Sequence, residues 1–235
     1  MLPAATSVGV DIWHIDTRQM NIDYLRCLHV LDQTERDAAA KFKHQSLSER
    51  YVLNHGLVRI ILADYLAAQP CELQFEREVY GKPYLRDYPE LTFNISHSAD
   101  DLLLAVSSGV SLGVDIERIR PRQNFSGVIE RCCSVNEQFY WKALPEEFQI
   151  AAFYKFWTYK EAFVKAVGRG LALGLNQIEF DLERGAVMNV PQNCGMFDEW
   201  WVGELAVGSW NSAALVIRGM NPELKLRSIA EIKNL

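Results

Sequence analysis

Gly113-Val114-Asp115-Ile116-Glu117 alternates apolar residues with acids, the pattern of a strand with one face in a core and two carboxylates on the other. Its first four residues repeat Gly9-Val10-Asp11-Ile12, which lies 104 positions upstream. Leu73-Gln74-Phe75 is echoed by Ile178-Glu179-Phe180 at nearly the same spacing. In both halves a long helical pattern is centred roughly 45 to 50 residues after the aspartate. These echoes predict a duplicated unit: a pseudo-dimer in one chain, of two similar α/β halves. Each half is expected to pack a small antiparallel sheet with a long helix. The boundary falls in 107–112, giving halves 1–109 and 110–235.

Around these anchors, the spacing of Tyr51, Leu53, Leu57, Ile60, Ile61 and Tyr65 predicts an amphipathic helix over 45–67. A second is predicted over 148–167, stopped by Gly168 and Gly170. Strands are read at 8–14, 91–95, 102–106 and 114–116, and late strands at 206–218 and 223–232. Strands and helices do not alternate regularly, so the fold class is α+β rather than a wound parallel sheet.

The 235 residues are 49% hydrophobic and 23% charged, as in ordinary globular chains. Five cysteines without a C-x-x-C point away from a disulfide framework or zinc knuckle and toward a reducing, cytoplasmic setting. No apolar run approaches the ~18 residues of a membrane span, and Met1 to Ala5 lacks the basic start of a secretory signal. A net charge of −6 argues against nucleic acid as a partner, with Arg118, Arg120 and Arg122 the one basic cluster to watch.

Asp115 and Glu117, two apart on a strand, leave the same face and repel unless a cation lies between them. An all-oxygen set without nearby His or Cys suits Mg²⁺, which adds waters and substrate phosphates. The plainer reading pairs these acids with Arg118 or Arg120. In the second helix, Trp157, Glu161 and Lys165 share a face. Glu161 and Lys165 read either as a surface ion pair or as a third carboxylate beside a cation, ready for metal and phosphate.

Arg77 and Lys82 flank a Gly/Pro-punctuated turn ending in Pro83, and both cations suit phosphate. In Phe93-Asn94-Ile95-Ser96-His97-Ser98, alternation sends Asn94, Ser96 and Ser98 to one face and His97 to the other. Gly109-Val110-Ser111-Leu112-Gly113 matches G-x-S-x-G formally, but a nucleophile elbow needs a helix after the serine. Here a strand follows, so a hairpin is expected instead. Ser96 and His97 are adjacent and point apart, which disfavours a dyad. Gly168-Arg169-Gly170 lacks the spacing of a dinucleotide loop.

Taken in order, Gly81-Lys82-Pro83, Asn94-Ile95-Ser96-His97-Ser98, Gly113-Val114-Asp115-Ile116-Glu117 and Trp157-x-x-Lys160-Glu161-Ala162-x-x-Lys165 resemble the signature of 4′-phosphopantetheinyl transferases. The length is similar to the surfactin-synthetase-activating type, whose single chain holds two similar halves. The resemblance implies transfer of the phosphopantetheine arm of coenzyme A to a serine of an apo acyl or peptidyl carrier protein, releasing 3′,5′-ADP. Carried over by position, Asp115, Glu117 and Glu161 would ligate Mg²⁺, and Glu161 would also deprotonate the serine. Lys165 and Lys160 would steady charge on the pyrophosphate. Arg77, Lys82, Pro83, Asn94, Ser96 and His97 would hold coenzyme A, with Arg36, Lys41 and Arg50 as further basic residues to weigh. The N-terminal half would then bind coenzyme A, and the C-terminal half would carry the metal and dock the carrier around 121–152. There the family's paired aromatics are replaced by Cys132-Cys133, ahead of Ser134 and Glu137. A monomer suffices for a duplicated chain. The competing expectation is a non-catalytic relative that only binds coenzyme A or carriers.

Overall fold

Two 22-residue helices organise the chain, and the computed structural model, which describes residues 8–18, 22–120, 125–219 and 222–232, places each against its own sheet. Arg122 and the segment Met1 to Ala5 lie outside the described residues. The first half runs β1 (Gly9–Asp16), α1 (Tyr24–Val30), α2 (Gln33–Ala40), α3 (Gln45–Leu66), β2 (Phe75–Arg77), β3 (Pro83–Leu85), β4 (Leu91–Ser98) and β5 (Asp101–Ser108). The second repeats that order: β6 (Leu112–Arg118), α4 (Ser126–Cys132), α5 (Val135–Ala143), α6 (Glu146–Val167), β7 (Glu179–Asp181), β8 (Ala186–Asn189), β9 (Trp200–Glu204) and β10 (Asn211–Arg218). A last strand, β11 (Glu223–Arg227), follows. The α+β expectation holds, and both long helices lie within two residues of their expected ends. The late stretch 206–218 begins as loop, and its strand is confined to β10.

One sheet has the order β11-β1-β5-β4 and the other β6-β10-β9. Pairing is antiparallel except that β11 returns to lie parallel to β1, so the end of the chain completes the sheet of the first half. Leu57, Ile61 and Leu62 of α3 pack on Trp13, Leu102 and Leu104 of the first sheet. Phe163 and Val164 of α6 pack on Val202, Ala214 and Val216 of the second. The opposite sheet faces meet each other, with Val10, Ile12, Leu103 and Ala105 against Val114, Ile116, Leu215 and Ile217. Burial on both sides of the central strands creates this helix–sheet–sheet–helix stack, because strands such as β5 and β10 have two largely apolar faces to bury.

The duplication reaches into polar chemistry. Capping boxes start α2 (Asp32 with Glu35) and α5 (Ser134 with Glu137). Each capping glutamate also holds a cation buried on a long helix. Arg59 Nε lies 2.6 Å from Glu35 Oε2, and Lys160 Nζ lies 2.7 Å from Glu137 Oε2. Both cations also donate to loop carbonyls, Arg59 to Pro70 and Leu73, Lys160 to Leu175 and Ile178. An unpaired buried charge costs several kcal/mol, so each set of partners is what makes its cation tolerable.

The segment 109–111 departs from expectation. A strand does follow Ser111, against the nucleophile elbow, but β5 and β6 form no hairpin, since β6 belongs to the other sheet. The sheets instead meet where β4 lies beside the free edge of β6. There Asn94 Oδ1 accepts from Val114 N–H at 2.9 Å, Ser96 Oγ from Ile116 N–H at 3.3 Å, and Ser98 Oγ from Arg118 N–H at 3.0 Å. Side chains spaced two apart thereby stand in for a missing backbone ladder.

Candidate active site

The seam between β4 and β6, covered by α6, contains the acids. Asp115 and Glu117 project from β6, while Trp157, Glu161 and Lys165 descend from one face of α6, as their spacing requires. With Ile95, Ser96 and His97 of β4 they line a cavity of about 330 Å³. The approach of α6 is close because position 113 is glycine. A Cβ there would lie 2.2 Å from the Ala162 carbonyl and 2.4 Å from the Ala166 nitrogen.

Serine hydroxyls orient both strand acids. Ser96 Oγ donates to Asp115 Oδ1 at 2.8 Å and Ser98 Oγ to Glu117 Oε2 at 2.9 Å, while both oxygens also accept from the β6 backbone. Lys165 Nζ reaches Asp115 Oδ1 at 2.7 Å and Ser96 Oγ at 2.9 Å. The plainer pairings of the acids therefore fail. Arg118 turns to Asp101 (2.9 Å), and Lys165 bonds across the seam instead of along its own helix.

Burial pushes the Asp115 carboxyl up from its usual range, against the opposing pull of Lys165 and Ser96. Burial and the charge of Asp115 raise Glu117, opposed by hydrogen bonds from Ser98 and Trp157. Glu161 rises through burial and then the charges of Asp115 and Glu117, with Lys165 opposing. Desolvation by the cavity walls and then the charge of Lys165 hold His97 below its usual range, although part of the residue reaches solvent.

Asp115 raises both neighbouring acids and Glu117 raises Glu161, so the cluster calls for a cation. Among the described residues no three acidic, histidine or cysteine side chains converge tightly enough to hold an ion as they stand. The ammonium of Lys165 supplies positive charge on one oxygen of Asp115. Its other oxygen, Oδ2, is buried without a partner. That unmatched oxygen, with two further carboxylates in the same cavity, fits a hard dication such as Mg²⁺.

The remaining expected residues separate. Arg77 and Pro83 line a second cavity of about 260 Å³, with Glu35, Asn54, His55, Phe75, Ile95 and His97 among its walls. Ile95 and His97 border both cavities. Asn94 is buried and its oxygen is taken by Val114 N–H, a seam contact in place of an open ligand contact. Lys160 is corrected most clearly: at 0% exposure, bonded to Glu137, Leu175 and Ile178, it is a core residue that no ligand in either cavity touches. Lys82 lines neither cavity and donates to the carbonyls of Leu112 and Ala166. Arg36 bonds the His29 carbonyl, and Arg50 holds the turn at Ala99; Lys41 is exposed. Sequence reasoning passed over His55, and Ser98 as an orienting residue. Ser98 was legible in the alternation it shares with Ser96, whereas His55 meets the cavity only through the tertiary fold.

Comparison with known proteins supplies a chemistry for this geometry. The profile described as "4'-phosphopantetheinyl transferase superfamily" matches residues 111–215, and "4'-phosphopantetheinyl transferase, N-terminal" matches 17–109. The chain is 33% identical over 176 residues to the 4′-phosphopantetheinyl transferase HetI of a Nostoc species, covering 74% of each chain. It is 36% identical over 161 residues to psf-1 of Bacillus pumilus, a 4′-phosphopantetheinyl transferase, covering 68% of each. To the 4′-phosphopantetheinyl transferase Sfp of Bacillus subtilis it is 28% identical, covering 70% of this chain and 72% of that one. The crystal structure of Thermotoga maritima holo-[acyl-carrier-protein] synthase superposes with a TM-score of 0.39 at 21% identity, over 47% of this chain and 64% of that one.

Proposed function

The chain belongs to the 4′-phosphopantetheinyl transferase superfamily, and from that premise we propose how its site moves the 4′-phosphopantetheine arm of coenzyme A onto a carrier-protein serine. The observation that carries the proposal is the shared cavity of Asp115, Glu117, Glu161 and Lys165, with one oxygen of Asp115 buried and unmatched. The pyrophosphate of coenzyme A lies in that cavity. Its nucleotide runs past His97 into the neighbouring cavity, where Arg77 offers a cationic contact, His55 a ring-nitrogen contact and Phe75 an apolar wall.

Asp115, Glu117 and Glu161 would hold Mg²⁺, which when bound would neutralise charge on the pyrophosphate. Glu161, in the same cavity, takes the proton of the incoming serine hydroxyl. The serine oxygen forms its bond to the phosphorus that carries the pantetheine. The bond from that phosphorus to the bridging oxygen breaks, and the oxygen leaves with 3′,5′-ADP. Lys165 steadies the charge that develops on the departing phosphate. Ser96 and Ser98 hold Asp115 and Glu117 in position throughout.

The exposed apolar side chains Val135, Phe139 and Phe148, on α5 and at the start of α6, support carrier docking on that side of the second half. The protein works as a monomer in the cytosol, where its five unpaired cysteines stay reduced. No described helix is long and apolar enough to cross a membrane.

The test is incubation of apo carrier proteins of several classes with coenzyme A, Mg²⁺ and the enzyme, read by mass spectrometry. A carrier heavier by one phosphopantetheine is expected, and Glu161→Gln should leave the fold intact with no turnover. Coenzyme A binding without modification of any carrier would instead mark a non-catalytic relative.

A further inference from the structure

The lysine of the Gly81-Lys82-Pro83 turn has two competing uses, as a phosphate ligand or as a joint between the halves. The structure commits its ammonium. Lys82 Nζ donates to the Leu112 carbonyl at 3.1 Å and to the Ala166 carbonyl at 3.2 Å. Leu112 opens β6, the strand of Asp115 and Glu117; Ala166 lies in the last turn of α6, one residue beyond Lys165. Carbonyls in a final helical turn have no partner within the helix, and a lysine is well suited to bind them.

The surroundings are built for this contact. The α6 helix ends at Gly168 with φ +75, where a Cβ would lie 2.7 Å from Glu78 Oε2 and 3.5 Å from Lys82 Cδ. The 78–82 turn is closed by Gly81 N–H to the Glu78 carbonyl and by Glu78 N–H to the Lys82 carbonyl. A turn of the first half is thus seated against the end of the helix that carries Glu161 and Lys165. Burial lowers the proton affinity of the Lys82 ammonium, with Glu78 opposing.

We propose that Lys82 is a positioning residue, a latch that ties the start of β6 and the end of α6 to the first half and so sets Lys165 and Glu161 against Ser96 and Asp115. The latch fixes Lys165 through its backbone one residue away, and the Lys165 side chain then crosses the seam to Ser96 and Asp115. The inference rests on the reading of Glu161 and Lys165 as the reacting groups. A misplacement on the order of 1 Å is enough to cost about 100-fold in rate.

The experiment compares Lys82→Met and Lys82→Arg with the wild type in carrier modification across coenzyme A concentrations, together with hydrogen exchange of the α6 C-terminal amides. Lys82→Met should lower kcat by at least tenfold with KM for coenzyme A within about twofold, because positioning is lost and no ligand contact is. Amides over 163–168 should exchange faster in the same variant. Lys82→Arg, which keeps two donors, should recover part of kcat and most of the protection. A tenfold rise in KM with kcat unchanged would overturn the latch in favour of a phosphate ligand, as would unchanged exchange. If Lys82→Met does not fold, Lys82→Gln, with a single donor group, is expected to fall between wild type and inactive, and wild-type kinetics there would also overturn the proposal. A wild-type protein inactive on every carrier, with the exchange difference still present, would sink the transferase reading and leave the latch standing.

Discussion

Replacing Gly113 by alanine should open the active-site seam, and the same change at its duplicate, Gly9, should do nothing comparable. At position 113 the added Cβ meets backbone only: the Ala162 carbonyl at 2.2 Å, the Ala166 nitrogen at 2.4 Å and the Lys165 carbonyl carbon at 2.9 Å. No rotamer change relieves such contacts. Real Cβ atoms essentially never come within 3.0 Å of a neighbour, so β6 and α6 must part by about 1 Å, a displacement that can cost roughly 100-fold in rate. Overpacking of this kind costs about 1–3 kcal/mol. For a chain of this size that is a fall in Tm of roughly 2–4 °C per kcal/mol. At Gly9 nothing lies within 4 Å of the added carbon. The difference follows from what each strand faces: Trp13, which matches Glu117 in the repeat, fills the space between β1 and α3. The assay is steady-state carrier modification with a thermal melt on both variants. A Gly113→Ala enzyme within threefold of wild-type kcat/KM, or a Gly9→Ala enzyme equally damaged, would refute the reasoning.

Lys160→Met should act on stability, costing about 3–5 kcal/mol because Glu137 is left charged and buried; the double variant with Glu137→Gln should recover much of the loss, measured by denaturant unfolding. Carboxyls raised in the fold favour the metal-free protein at low pH, and that advantage is lost as pH rises from the ordinary carboxylate range, about 4, through the raised values of Asp115, Glu117 and Glu161. Melts across pH should therefore show Mg²⁺ stabilising the wild type more at pH 8 than at pH 5, with no such difference after Asp115→Asn, Glu117→Gln and Glu161→Gln are combined. A Mg²⁺ effect equal at both pH values would count against these acids as its site.

By itself the sequence determined the two long helices, the strand carrying Asp115 and Glu117, the shared face of Trp157, Glu161 and Lys165, and the repeat of a Gly-Val-Asp-Ile strand followed by a long helix. These are local matters, since periodicity reports which side chains share a face and glycine reports where a helix stops. What stands opposite a face is not local. Lys160 and Lys165 lie on one helix with similar chemistry, yet one is sealed against Glu137 and the other opens on the cavity. Asn94 read as a ligand contact until β6 came to lie beside β4 with its N–H groups unpaired by backbone. Lys82 looked free until the ends of β6 and α6 met it. Only tertiary packing decided these, because a polar group's partner is set by whichever element buries it, and the partners lie 15 or more residues away in the chain.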